Sequence, residues 1–378
     1  MTTTRSLLAG IRVVEFADTV SSACTRVLAD LGASVLTVPP PRRGGAAQPF
    51  PGSAGHARSF FDARKQPIGA SPASPRDLPT ILSTLGVVDV CVESCGQNEM
   101  TALGLDYDSV AAINPALVYA SITPYGRRTG ADPRVASDLI LQAAGGMVFL
   151  NGDPTQAPQQ ALGLQGYHST AAYVAIGILI ALHERLRSGL GQFLDVSAQA
   201  CVTASIEHLA ALHFTNGRVP TRRGRDHWTG AFRLVRARDG YVLVSTQGDH
   251  EVLAAWLADG DENAKPHGAD LLDQLERWAR PLAAHEIERG ARFRRLPFAQ
   301  AGAVSALRNH PQLRARRFFS RRRAPLIGAR ISHVARPRED PPISSDGSRL
   351  RTQFGPAVAT GSPLAGIRVL DLTWVIAG

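Results

Sequence analysis

The sequence predicts an α/β protein, with a large domain on a doubly wound parallel sheet and a smaller α+β domain after it. Three observations predict this. Short apolar runs without polar alternation are separated by helical stretches, the pattern of parallel strands covered on both faces. After Asn216 the pattern changes to a hairpin signature and short helices, which marks a second lobe. The chain has 378 residues, 44% of them hydrophobic and 19% charged, so it can bury a core in each part. That composition excludes a disordered tail, a collagen and a coiled-coil rod.

Element by element, Ile11–Phe16 reads as a continuous apolar strand and Ser22–Leu31 as a helix closed by Gly32. Ser34–Val38 is a strand stopped by Pro39, Pro40 and Pro41, and a Gly/Pro-rich loop runs on to Gly55. Helix Asp77–Leu85, strand Val87–Val92, helix Tyr107–Ile113 and strand Leu117–Ile122 continue the alternation. Helices follow at Ser137–Phe149 and Ser169–Leu186, then strand Gln192–Val196 and a helix over Ala198–Thr215. The most apolar stretch, Ala171–Leu182, is flanked by polar residues and is shorter than the roughly 20 residues of a membrane span, so it reads as a buried helix. Residues 220–230 form a polar Arg/Gly loop, and Phe232–Val235 and Tyr241–Thr246 flank an Asp-Gly turn. Short helices at Val252–Leu257 and Ala269–Leu275 fill the smaller region.

An internal repeat stands out. Leu8-Ala9-Gly10-Ile11-Arg12-Val13 recurs without change as Leu364-Ala365-Gly366-Ile367-Arg368-Val369, and the next three residues are conservative. The second copy follows a Pro/Gly/Ser-rich stretch and has only a strand and a turn before Gly378. The expectation is a large domain over 1–220, a small domain with a return segment over 221–330, a linker over 331–363, and the opening of a second repeat at 364–378. On this reading the chain is the N-terminal unit of a tandem protein, cut short in its second unit.

The formal charge is +9, with 41 basic residues of which only Lys65 and Lys265 are lysines, a bias that reads as genomic base composition. From Gly290 to Arg323 there are ten arginines and no acid, which leaves the remainder near neutral. No nucleic-acid-binding motif accompanies the segment, so it reads as a solvated or partner-facing surface rather than a nucleic-acid site. Four cysteines in this length do not make a disulfide framework, and Cys91 and Cys95 lack the neighbours of a zinc site. Cytoplasmic location is expected, with no membrane segment, metal or tightly bound cofactor.

Dinucleotide, phosphate-loop, metalloprotease and nucleophile-elbow motifs are absent. What is present is a set of collinear segments: Leu8–Phe16 with Val27–Val38, Val88–Glu93, Leu103-Gly104-Leu105, Ile113–Thr123, Asp138–Gly146, Gly177–Leu182, Ser188–Gln192 and His310–Arg316. In these segments the chain resembles the family III CoA-transferases (the CaiB/BaiF family), over residues 8–330 and again from 364.

The resemblance implies a protein that moves CoA between carboxylic acids, with coenzyme A as substrate and two interlocked subunits, here a homodimer or a second fused unit. It also implies an aspartate that attacks the thioester carbonyl to form a mixed anhydride, about ten residues before Gly177. That position holds Tyr167, followed by His168, and no Asp or Glu stands between Asp153 and Glu184. This unit is therefore expected to lack the nucleophile. Lys65 and Arg64 are candidate contacts for CoA phosphates, as is Arg26. Asp138 fits a family motif, and Gly145 and Gly146 would let backbone approach a thioester. Other readings are a non-catalytic acyl-CoA-binding or scaffold half of a fused dimer, and a 2-methylacyl-CoA racemase, which Ser137 in place of a histidine disfavours.

Overall fold

The structure, a computed structural model, describes residues 6–16, 18–41, 60–96, 98–127, 136–227, 229–258, 271–316, 318, 362–367, 369 and 371. The described residues form two compact units, one within Met1–Gly145, Gly163–Ser205 and Pro325–Gly378, the other within Gly146–Leu162 and Ile206–Ala324. The sequence places the boundary near 220; the structure moves it to 205, where an expected single helix breaks, and gives 146–162 to the second unit. Most of the expected linker, 331–361, lies outside the described residues.

The first unit is built on six parallel strands: β1 (Arg12–Phe16), β2 (Ser34–Val38), β3 (Lys65–Pro67), β4 (Val90–Glu93), β5 (Val118–Thr123) and β6 (Phe193–Ser197). Their order is β3-β2-β1-β4-β5-β6, a doubly wound sheet. Val14 lies between Leu36 and Cys91 in register, and these central strands are buried on both faces. One face is filled by Phe16, Ile81, Leu85, Leu117 and Tyr119.

Helix α1 (Thr19–Asp30) starts three residues before its expected position. Asp18 caps it and Ser21 reaches back to the Asp18 amide, so a capping box sets the start rather than the apolar pattern. Helices α2 (Leu78–Leu85), α3 (Glu99–Ala102) and α4 (Tyr107–Ala111) fill the connections. The helix expected over 137–149 is two, α5 (Asp138–Ala144) and α6 (Met147–Leu150), because Gly146 at φ +88° leaves helical space. Helix α7 runs the 24 residues Gln165–Ser188, longer than expected. By length and composition it could cross a bilayer, yet Tyr167, Ala171, Val174, Ile178 and Leu182 bury one face within the unit. Helix α8 (Ala198–Ala204) closes the unit, and the expected single helix resumes as α9 (Glu207–Asn216).

In the second unit β7 (Phe232–Arg236), β8 (Tyr241–Ser245) and β9 (Ala299–Gln300) form an antiparallel sheet. Helices α10 (His250–Ala258), α11 (Leu271–Ala279) and α12 (Ala284–Phe293) share a core with it around Val242, Leu253, Leu275 and Ile287. Trp256 and Trp278 meet edge to face at 4.7 Å, and the Arg294 guanidinium lies 4.6 Å above Trp256. Short helices α13 (Val304–Leu307) and α14 (Pro311–Ala315) end the described part of the Arg-rich stretch.

One buried ion pair joins the elements around β1. Lys65 Nζ donates to Glu15 Oε2 at 2.7 Å and to the Ser22 carbonyl at 3.0 Å, and the two charged side chains are 1% and 0% exposed. Ser22 and Thr25 of α1 donate their hydroxyls to the same carboxylate. Removing one partner strands a buried charge. Lys65→Met is expected to lower unfolding free energy by about 3–5 kcal/mol in urea titrations, and Lys65→Met with Glu15→Leu to recover most of it.

Candidate active site

In a doubly wound sheet the ligand crevice opens beyond the carboxyl ends of the strands, where the strand order reverses. Here that point lies between β1 and β4. The residues that follow β1 lead to Asp18, and those that follow β4 are Ser94 and Cys95. Helix α7 packs on α1 and brings its first turn to the same end, with Tyr167 and His168. Asp138 opens α5, where Ser137 is the cap.

Asp138 is the hinge of this group. Its Oδ1 accepts the Tyr167 amide N–H at 2.8 Å, and its Oδ2 accepts Gln142 Nε2 at 2.5 Å. The carboxylate thus fixes the first turn of α7 and is itself 7% exposed. A Cβ on Gly166 would lie 3.1 Å from Asp138 Oδ1, so the close approach of α7 to this carboxylate favours glycine there.

Burial pushes the Tyr167 phenol well above its ordinary range, and the charges of Asp18 and Asp138 add to this, so the hydroxyl keeps its proton. Burial pulls His168 below its ordinary value, with Asp138 acting against it, and the ring is neutral at pH 7. The ring lies 6.0 Å from that of Phe61. Asp18 is raised, chiefly by burial, although the amides of Thr19 and Val20 favour its charge. The buried Ser94 hydroxyl stands beside Asp18, near enough to favour its charge but outside hydrogen-bond geometry.

The rim toward β5 and β6 is held by Arg127. Its guanidinium donates to Glu93 Oε1 at 2.7 Å and to Ser121 Oγ at 2.6 Å, and its amide donates to Asp195 Oδ1 at 2.9 Å. Burial pushes the Glu93 carboxyl up while the Arg127 charge pulls against it. The thiol of Cys95 is pushed up by burial and by nearby carboxylates, which removes it as a nucleophile at neutral pH. Among the described residues no cluster of three or more His, Cys, Asp or Glu side chains could hold a metal.

Of the residues singled out in the sequence, Tyr167, His168 and Asp138 come together. Lys65, a candidate contact for CoA phosphates, does not join them: its ammonium is inside the protein on Glu15. Arg64 is exposed, in the left-handed region at φ +75°, and its guanidinium reaches the Ala29 carbonyl at the far end of α1. Arg26 is 2% exposed and bonded to Asp30 and to the Phe60 carbonyl. Gly145 has a packing reason for lacking a side chain, since a Cβ there would lie 2.5 Å from Val202. Gly146 serves the αL turn between helices. Asp18 escaped sequence reasoning, though the Asp-x-x-Ser spacing just after a strand is a capping-box signal that finds it.

The family description "CoA-transferase family III" matches residues 8–356. The chain belongs to CoA-transferase family III. Among the family's characterised members, the chain is 27% identical to the succinyl-CoA:(R)-benzylsuccinate CoA-transferase subunit of Thauera aromatica, over 87% of both chains. It is 28% identical to the succinate–glutarate CoA-transferase of Agrobacterium fabrum, over 64% of each, so it spans just under two thirds of that relative. A CAIB/BAIF family protein from Brucella suis has the same fold, with a TM-score of 0.71 at 25% identity, covering 82% of this chain and 87% of that one.

This end of the sheet thus carries four buried or half-buried carboxylates, Asp18, Glu93, Asp138 and Asp195, and the raised Asp18 makes a measurable difference. A raised acid binds its proton more readily folded than unfolded, so it costs stability above its folded pKa and the cost is relieved as pH falls through that value. Asn caps helices as well as Asp and carries no charge. Asp18→Asn is expected to raise the urea midpoint relative to the natural chain at pH 7, with the gain shrinking toward pH 4.

Proposed function

We propose that this unit binds CoA thioesters in the crevice between β1 and β4 and serves the transfer of CoA between carboxylic acids as the half that lacks the relay carboxylate. The first turn of α7 carries the reading. A transferase of this kind needs a carboxylate that attacks the thioester carbonyl, expels CoA thiolate and holds the acyl group as an anhydride. The α7 turn instead presents Tyr167, a protonated phenol, and His168, a neutral imidazole. Neither forms an anhydride. The nearest acids are engaged: Asp138 holds the Tyr167 amide and Gln142, and Asp18 caps α1.

The missing carboxylate then comes from a different unit. A second copy of this chain would lack it too, so the favoured source is the repeat that opens at Leu364, in a tandem arrangement whose two halves interlock. Local structure supports the repeat. Ala9 N–H bonds the Ser6 carbonyl and Ile11 N–H bonds Leu8, with Gly10 at φ +95°; Ala365 bonds Ser362 and Ile367 bonds Leu364, with Gly366 at φ +85°. The Thauera relative is named as a subunit and the Chloroflexus aurantiacus succinyl-CoA–L-malate CoA-transferase relative as a beta subunit, which favours shared assemblies. A reducing, cytoplasmic setting fits four free and buried cysteines.

The test combines calorimetry with mass spectrometry on the full chain. CoA and succinyl-CoA are expected to bind, with no hydroxylamine-sensitive adduct on the protein and no transfer of CoA to glutarate. An adduct or turnover by this chain alone would overturn the missing-relay reading, and absence of CoA binding would overturn the binding role.

A further inference from the structure

Tyr167 buries its ring and leaves its hydroxyl without a protein partner. The residue is 9% exposed; among the described residues no group hydrogen-bonds the hydroxyl, and solvent reaches it. A buried tyrosine ordinarily finds a partner for its O–H, so an unpaired one at the switch-point end of the sheet points to a ligand contact. The Ser94 hydroxyl differs from it: that oxygen is unpaired too, but it is sealed from solvent.

The position of the phenol is built from the backbone outward. Asp138 Oδ1 accepts the Tyr167 amide N–H at 2.8 Å and fixes the first turn of α7. Gly166 lets that turn approach the carboxylate, since a Cβ there would lie 3.1 Å from Oδ1. One turn on, the Thr170 hydroxyl donates to the Gly166 carbonyl at 2.8 Å.

The surroundings select the chemistry of the ligand. The charges of Asp18 and Asp138 act on the phenol, and among the described residues neither carboxylate is paired with a lysine or arginine. Both accept backbone amides, Asp18 that of Thr19 and Asp138 that of Tyr167. A further anion, such as a carboxylate or a thiolate, is repelled here. A neutral acceptor is not, and a phenol that keeps its proton is a donor to it. Beside its sulfur, a CoA thioester offers one such acceptor, the acyl carbonyl.

We propose that the Tyr167 hydroxyl donates a hydrogen bond to the acyl carbonyl of a bound thioester, so that this unit distinguishes acyl-CoA from CoA. This contact presupposes the binding of CoA thioesters in the crevice between β1 and β4. The thioester is then held by a group that cannot take the acyl chain from it.

Calorimetry on the full chain compares acetyl-CoA with S-ethyl-CoA, a thioether of similar size without the carbonyl. Acetyl-CoA is expected to bind about fivefold more tightly. Tyr167→Phe removes only the hydroxyl, and an unchanged thermal midpoint without ligand is expected because no protein group loses a partner. In that variant acetyl-CoA falls to the affinity of S-ethyl-CoA, whose own affinity stays the same. Infrared spectra of bound, carbonyl-labelled acetyl-CoA give a second readout: the carbonyl stretch moves to lower wavenumber in the natural chain and returns in Tyr167→Phe. Equal binding of the two compounds by the natural chain, an equal loss of both in Tyr167→Phe, or an acetyl-CoA preference that survives the substitution overturns this contact and leaves the crevice reading standing. Binding of neither compound overturns the crevice reading, and the contact with it.

Discussion

Lys65 and Glu15 form the contact on which the first unit is arranged. β3 has three residues and pairs only with β2, too short a strand to hold itself in place. The Lys65 ammonium reaches past β2 to a carboxylate on β1 and to a carbonyl on α1. Ser22 and Thr25 donate their hydroxyls to the same carboxylate. Such a pair adds little net stability, because desolvation offsets attraction, but it is costly to break and so favours one arrangement. Its position matters: Glu15 is one residue from the end of β1, and the chain then turns into the cap of α1. The start of the crevice is thus positioned by a pair buried within the unit.

Around that crevice, fold and chemistry separate. The strand order is doubly wound, and α7 packs on α1 beside its switch point. Asp18, Glu93, Asp138 and Asp195 all lie near the carboxyl ends of the strands, and each is engaged, by a helix start, by Arg127, by Tyr167 and Gln142, and by the Arg127 amide. A carboxylate whose lone pairs are occupied organises backbone; a relay needs one with lone pairs turned to substrate. Function sits in the site rather than the scaffold. Here the first turn of α7 carries the Tyr167 phenol.

Much of this was legible in the sequence. Strands β1, β2, β4, β5 and β6 announce themselves as continuous apolar runs, because a parallel strand covered on both faces has no polar side. β3, Lys65-Gln66-Pro67, carries no such signal and is specified by a charge 50 residues away in sequence. The start of α7 was hidden for a similar reason: Gln165-Gly166-Tyr167-His168 has no apolar period, and its first turn is set by Asp138. The breaks that divide α5 from α6 and α8 from α9 come from one left-handed glycine and one bend within otherwise helical stretches. The absence of an acid between Asp153 and Glu184 was plain, whereas the burial of Lys65 and the engagement of Asp138 required the partners to be in place.

The turn that opens β1 is written twice in this polypeptide, and the copy is held elsewhere. Arg187, at the end of α7, donates to the carbonyls of Ser362, Pro363 and Ala365. Leu364–Val369 repeats the six residues of Leu8–Val13. Arg187 holds this second copy through main-chain carbonyls alone, so the contact recognises the shape of the turn and not the side chains that it shares with the first copy.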